Sequence, residues 1–461
     1  MSNGGTDLGK GNIKKLLVTL ALPAIIAQLV NILYNIVDRI FIGRIQNGEM
    51  AMAGVGVAFP ILMLIFAFSA LIGMGGAPLA AIKMGAKDKE GAEKIISNSF
   101  STLIVVSVIL TVGFTIFKVP ILNAFGASEA TIKYAIDYLS IYLIGTIFIQ
   151  FALGLNPFIN TQGFAKISMS TVMIGAIINI VLDPIFIFTF NMGVKGAALA
   201  TILGQLVSAI WVLSFIFGKK NKIRVRKKYI IPDMRILGAI IALGVSPFIM
   251  QATESLVVVS LNNKLQAYGG DLAVGAMTIM SSIMQIVLLP LVGLSQGAQP
   301  IISYNYGAKS IKRVKETFKL LVICCLAYTS IMWVSIMVFP EMFVKIFNNN
   351  PELIEITAKS MKIFFFGIFL FGAQIACQQT FLALGQAKNS LILALLRKIF
   401  LLVPLIFILP EFFKMNKWKL NATLIAEPIS DIVATIITII TFWIFYKKKL
   451  TKIKEEFEEV K

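Results

Sequence analysis

The chain of 461 residues contains no histidine, which excludes a histidine proton relay and the metal motifs built on histidine. Cysteine is nearly absent. Cys324 and Cys325 are adjacent in one apolar run and Cys377 lies in another, which is neither a disulfide framework nor a zinc spacing. No Gly-x-x-x-x-Gly-Lys-Ser/Thr segment occurs, so no ATP-binding loop of that kind is expected. With no paired catalytic motif either, the chain is expected not to be an enzyme. Charge is scarce: 14% of residues are Asp, Glu, Lys or Arg, against 57% hydrophobic. A soluble protein of this length does not carry so little charge, and surface-to-volume scaling disfavours one buried core large enough to hide so much apolar sequence.

What the chain has instead is long apolar runs. Twelve occur, near residues 16–40, 52–74, 97–117, 134–155, 167–190, 196–217, 236–260, 273–295, 319–339, 359–382, 390–410 and 421–446. Each is about 20 residues or more, the length a helix needs to cross a bilayer. The net charge of +19 sits in short runs between these spans, the pattern of cytoplasmic loops rather than of a nucleic-acid surface. Assigning alternate loops to alternate sides puts about 30 of the 42 basic residues on one side, so that side is expected to be cytoplasmic, with both termini there. Met1–Lys15 is polar and runs into the first span without an evident cleavable signal.

The spans repeat. Gly75-Gly-Ala-Pro78 and Met84-Gly85-Ala86-Lys87 recur as Gly297-Ala-Gln-Pro300 and Tyr306-Gly307-Ala308-Lys309, a shift of 222 residues (307 − 85). The same shift carries Gly163, Ala165, Lys166 and Ser168 onto Gly385, Ala387, Lys388 and Ser390, and Gln205 onto Glu427. The expected architecture is therefore an all-α integral membrane protein of twelve transmembrane helices. Each half holds six spans, an even number, so both enter from the same side and a pseudo-two-fold axis runs along the membrane normal. The expected units are an N-terminal lobe at 1–217, a basic cytoplasmic linker at 218–235, a C-terminal lobe at 236–446 and a cytoplasmic tail at 447–461. The linker reads as a topology-setting connection in preference to a lipid-docking site, and Gly75–Lys87 and Gly297–Lys309 read as loops that serve turns and switching.

Polar residues inside the spans mark an ion or substrate path. Asn179 and Asp183 are four residues apart, so a helix stacks them on one face, and Pro184 frees the carbonyl of Ile180. Asn31, Asn35 and Asp38 share a face of the first span, and Thr201 and Gln205 a face of the sixth. In the second half stand Glu254, the glutamines Gln374, Gln378 and Gln379, the pair Arg397 and Lys398, and Glu427 stacked on Asp431. Arg397 and Glu427 fit a buried structural ion pair as well as a substrate role. Met277, Met280, Met284 and Phe364–Phe366 fit packing or a cavity wall.

These features resemble the multidrug and toxic compound extrusion (MATE) family over essentially the whole chain. The resemblance is carried by the two six-span halves, by Ala21-Leu22-Pro23 and Tyr34-Asn35 before Asp38, and by the paired Gly-x-x-Pro…Gly-Ala-Lys segments. Leu182-Asp183-Pro184 and Ile425-Ala426-Glu427 look closest to the MepA-like bacterial branch. The resemblance implies a monomeric secondary antiporter in the bacterial plasma (inner) membrane that works by alternating access. It would export amphiphilic or cationic small molecules in exchange for H+ or Na+, with membrane lipids as its other partner and no further cofactor. It implies a cation site at Asp38, Asn179, Asp183 and Thr201, these four being the metal ligands if the ion is Na+. Candidates for the substrate cavity are Glu254, Gln378, Glu427, Asn35, Gln150 and Met284. The alternative is a flippase for lipid-linked oligosaccharide or peptidoglycan precursors, which would favour a strongly cationic cavity for pyrophosphate.

Overall fold

The structure, a computed structural model, describes residues 5–348 and 350–450, without the side chains of residues 255, 271, 449 and 450. Most of the tail expected at 447–461 lies outside the described residues.

Among the described residues, ten helices are long and apolar enough to cross a membrane, and two bent helix pairs, each counted as one span, bring the number to twelve. They are α1 (Ile13–Gly43), α2 (Gly48–Gly85), α3 (Lys89–Ala124), α4 (Ile132–Ile144 and Thr146–Thr161), α5 (Ala165–Thr189) and α6 (Val194–Ile216). After the linker come α7 (Met234–Gly270), α8 (Leu272–Gly307), α9 (Ile311–Val338), α10 (Pro351–Phe364 and Ile368–Ala383), α11 (Ala387–Phe412) and α12 (Asn416–Lys448). Their apolar runs form helices because a backbone in lipid must satisfy its own hydrogen bonds. Side-chain caps set several starts: Asn12 accepts from the Lys14 amide at 2.8 Å, Asp88 from Gly91 at 2.8 Å and Asp233 from Arg235 at 2.8 Å. The Lys83 ammonium, 2.8 Å from Asp88, and the Gly91 amide hold the Asp88 carboxyl below its ordinary pKa. Around the outside, Ile109, Ile116, Ile144, Phe190, Phe400 and Trp443 are exposed, as residues facing lipid chains are.

Two expectations need correction. Gly75–Lys87 and Gly297–Lys309 are not loops: α2 and α8 run through Pro78 and Pro300 as far as Gly85 and Gly307. Only then does the chain turn, with Lys87 and Lys309 at φ of 61° and 60°. The fourth and tenth spans are not continuous either. They bend by 60° and 51°, at Gly145 and around Gly367, which the 222-residue shift relates (367 − 145).

These glycines allow backbones to meet. α2 packs on α7, and α1 on α8, so each half leans its first helix against the other. A methyl group added at Gly85 would run into the Tyr304 carbonyl, and one at Gly307 into the Ile82 carbonyl. Since 304 − 82 and 307 − 85 are the same shift, this is one self-matching contact repeated across the axis. It closes the lobes on the face that carries the basic loops. The linker lies along the N lobe on that face. Arg226 pairs with Glu93 at 3.0 Å, the Asp233 amide donates to Asn98 Oδ1 at 2.6 Å, and Lys222 donates to the Gln162 carbonyl at 2.9 Å.

Residues 5–12 tie the lobes together on the same face. The Thr6 amide donates to the Gly163 carbonyl of the N lobe at 3.1 Å. From the C lobe, Asn305 donates to the Leu8 carbonyl at 2.9 Å and Arg313 to Gly11 and Lys10 at 2.8 and 3.2 Å. Arg313→Ala is expected to free this strap and speed tryptic cleavage after Lys10 several-fold in native membranes; an unchanged cleavage rate would show that the guanidinium contacts carry no strength.

Candidate functional site

Three spans converge on one buried cluster. α5 carries Asn179 and Asp183, 2% and 0% exposed, α6 carries Thr201, and α1 brings Asp38. The i, i+4 spacing does what helix geometry requires: Asn179 Nδ2 donates to Asp183 Oδ1 at 3.2 Å and to Thr201 Oγ1 at 3.2 Å. Thr201 in turn donates to the Ala197 carbonyl at 3.0 Å. The amide is thereby oriented with its nitrogen engaged and its oxygen free. α1 packs along α5, and the Asp38 and Asp183 carboxyls are electrostatic neighbours. Arg39, the neighbour of Asp38, instead lies over the Phe59 ring, 5.7 Å from its centroid. Past Pro184 the helix continues as a wider π turn over Ile185–Thr189, a local feature common where helices carry function.

Asp38 Oδ1, Asn179 Oδ1 and Asp183 Oδ2 are all shut away from solvent without a hydrogen-bond partner. A buried oxygen left without a donor costs about 1–3 kcal/mol, more if charged. Three together form a set of acceptors for a cation or a proton. Oxygen donors of this kind suit a hard ion such as Na+, and two adjacent carboxylates equally suit one shared proton.

Beside the cluster lies a cavity of about 240 Å³. Asn179 and Thr201 belong to its wall as well as to the cluster. Its polar lining is almost entirely amide and hydroxyl, including Gln28, Asn31, Asn156, Asn160, Gln205 and Gln296. Among the described residues, no acidic or basic side chain lines it. The C lobe contributes Gln251, Gln296 and Gln299, with Gln28 Nε2 donating across the lobes to Gln296 Oε1 at 3.2 Å and Asn160 to the Gln296 carbonyl at 2.9 Å. Sequence reasoning missed these glutamines, although Gln299 stands inside the repeated Gly-Ala-Gln-Pro segment and Gln296 directly before it.

The residues named as cavity candidates lie elsewhere. Asn35 turns its amide onto the Asn31 carbonyl of its own helix at 2.6 Å, and Asn31 takes the place on the wall. Gln150 is fully buried and donates to the Ile65 carbonyl at 2.9 Å. Gln378 donates toward Met250 Sδ at 3.3 Å, and Met284 packs on the C-lobe core. Glu254 is paired with Lys398, and Glu427 with Arg397 at 3.0 Å.

The MatE family model matches residues 23–185 and again 246–408, once in each lobe. The chain belongs to the MATE family. Multidrug export protein MepA of Staphylococcus haemolyticus (strain JCSC1435) is 27% identical to it, over 93% of this chain and 94% of that protein. The structure described as the outward-facing conformation of a multidrug resistance MATE family transporter of the MOP superfamily superposes with a TM-score of 0.89 at 24% identity, covering 98% and 99% of the two chains. A MOP superfamily transporter from Pyrococcus furiosus, described as having a binding pocket of reverse polarity, superposes with a TM-score of 0.87 at 25% identity over the same shares. The MATE fold, its two repeats and its multi-pass course through a membrane thus agree with the sequence reading.

Proposed function

We propose that this MATE protein is a secondary exporter that moves amphiphilic or cationic small molecules outward in exchange for H+ or Na+. The observation that carries this reading is the set of three unpaired buried oxygens on Asp38, Asn179 and Asp183, joined to the cavity through Asn179 and Thr201. The similarity to multidrug export proteins supports the substrate class. With the basic face placed in the cytoplasm by the positive-inside rule, lobes closed on that face present the cavity to the outside.

Two bare carboxylates side by side repel, and a proton or Na+ arriving from outside relieves this. The ion draws Asp38 of α1 toward Asp183 of α5 and pulls on Asn179, whose amide belongs to the cavity wall. Substrate and ion then favour different arrangements of that wall, which is the condition for exchange. The flippase alternative is not favoured, because a pyrophosphate needs cations and the lining has none among the described residues.

Uptake of a fluorescent cationic dye into proteoliposomes, driven separately by a pH and by a Na+ gradient, tests the proposal. Movement under one gradient is expected and names the ion; no movement under either, in folded protein, would contradict it. Thr201→Val removes the hydroxyl that positions Asn179 while keeping the side-chain shape. One lost hydrogen bond is worth about 0.5–1.5 kcal/mol, so the half-saturating concentration of the coupling ion is expected to rise by roughly three- to tenfold. An unaltered ion dependence would remove Thr201 from the site.

A further inference from the structure

The C lobe encloses four charged groups that the mechanism above does not use, Arg397, Lys398, Glu427 and Asp431, with the more exposed Glu254 beside them. Arg397, 11% exposed, donates from Nε to Asp431 Oδ1 at 2.7 Å and from Nη2 to Glu427 Oε1 at 3.0 Å. Its Cζ lies 4.4 Å from the centroid of the Phe371 ring. A pair of carboxylates with an aromatic face beside them is how a guanidinium or another planar organic cation is held. Next to it Lys398 donates to Glu254 and, at 3.0 Å, to the Met250 carbonyl. Three carboxylates therefore face two cations, and without Arg397 they would face one.

The internal repeat shows what this box corresponds to. The 222-residue shift carries Gly175 onto Arg397, Ala176 onto Lys398, Gln205 onto Glu427 and Ser208 onto Ser430. Gly175, Ala176, Gln205 and Ser208 all line the central cavity. Where the N lobe presents an open wall of small and amide side chains, the C lobe has Glu427 in the place of Gln205, Asp431 one turn further on, and an arginine lying between the two acids. The Arg397 side chain grows from the position at which its counterpart has none. The stretch that carries it, Leu396–Leu402, is a π turn, as is Ile185–Thr189 in the matching span of the N lobe.

We propose that Glu427, Asp431 and Phe371 form an organic-cation site of the guanidinium class, and that Arg397 is its tethered occupant. In this role Arg397 decides specificity: it keeps the acids of the C lobe from taking a cationic substrate and leaves the neutral cavity against the N lobe as the substrate's place. A built site accepts a free guanidinium in the arginine's stead.

The test is Arg397→Gly, which installs the residue of the N-lobe counterpart, purified with methylguanidinium present throughout. Equilibrium dialysis with radiolabelled methylguanidinium and thermal unfolding are then followed as the compound is removed. The variant is expected to hold about one methylguanidinium per chain and to lose melting temperature on its removal, with recovery on its return but not on addition of NaCl at equal strength. Wild type is expected to show neither binding nor stabilisation. Arg397→Gly combined with Glu427→Gln and Asp431→Asn is expected to fold without methylguanidinium and not to bind it. The proposal is overturned if Arg397→Gly binds none, if the triple variant binds as well, or if Arg397→Gly cannot be recovered folded even in methylguanidinium.

Discussion

Asp38→Asn is expected to abolish dye transport under either gradient, a fall of at least about 100-fold, while leaving dye binding to the purified protein within about twofold of wild type. The substitution keeps size and polarity and removes one of the two carboxylates that face each other between α1 and α5. A charge removed from a buried pair changes the balance there by several kcal/mol, and each 1.4 kcal/mol or so is a factor of ten. Binding should survive because Asp38 is not part of the cavity wall, which is neutral among the described residues. Asp183→Asn is expected to behave in the same way. Transport unchanged in either variant would remove the acid pair from the coupling, and loss of dye binding with transport would make the acids part of the substrate site.

Gly85→Val together with Gly307→Val is expected to hold the lobes apart on the basic face. Each new side chain would meet a backbone carbonyl of the opposite lobe, and a carbonyl has no rotamer by which to step aside. Overpacking of this kind costs about 1–3 kcal/mol at a site, so two sites shift the conformational balance by roughly 30-fold or more. Transport should drop at least tenfold, and a cysteine placed in the cavity wall at Ser168 should become reactive toward a membrane-impermeant thiol reagent applied from the basic face. Gly56→Ala and Gly113→Ala, where nothing stands within 4 Å of the added methyl, are the controls expected to change neither. If the double valine variant transports normally, the closed basic face is not one end of the transport cycle.

The twelve spans were legible because a bilayer demands long apolar helices and little in a sequence imitates them. The helix ends were not. Gly75–Pro78 and Gly297–Pro300 carry residues that end helices in water, yet here they lie within α2 and α8. Close packing between lobes outweighs propensity, and neighbours in the membrane take up the backbone groups that Pro78 and Pro300 release. The bends at Gly145 and Gly367 were missed because hydropathy does not register a change of direction. In the site, the i, i+4 pair Asn179 and Asp183 was readable from spacing alone. The choice between Asn31 and Asn35 was not, since both lie on the face of Asp38 and only packing shows that Asn35 turns back on its own helix. Glutamines reaching across from α8 were overlooked because a lone amide in an apolar run reads as packing. Glu254 and Glu427 stood out as intramembrane acids; the pairing of Glu427 with Arg397 was one of the two roles read for them, whereas spacing along separate helices did not pair Glu254 with Lys398.

The most direct test of the account is to add a transported dye to purified wild-type and Asp38→Asn protein in detergent and measure ion release into weakly buffered medium, with a pH indicator for H+ and a tracer for Na+. The account predicts that dye binding releases about one ion of the coupled kind per wild-type chain and none from Asp38→Asn, although both bind dye. Equal release from the two proteins, or dye binding to wild type without release of either ion, would contradict it.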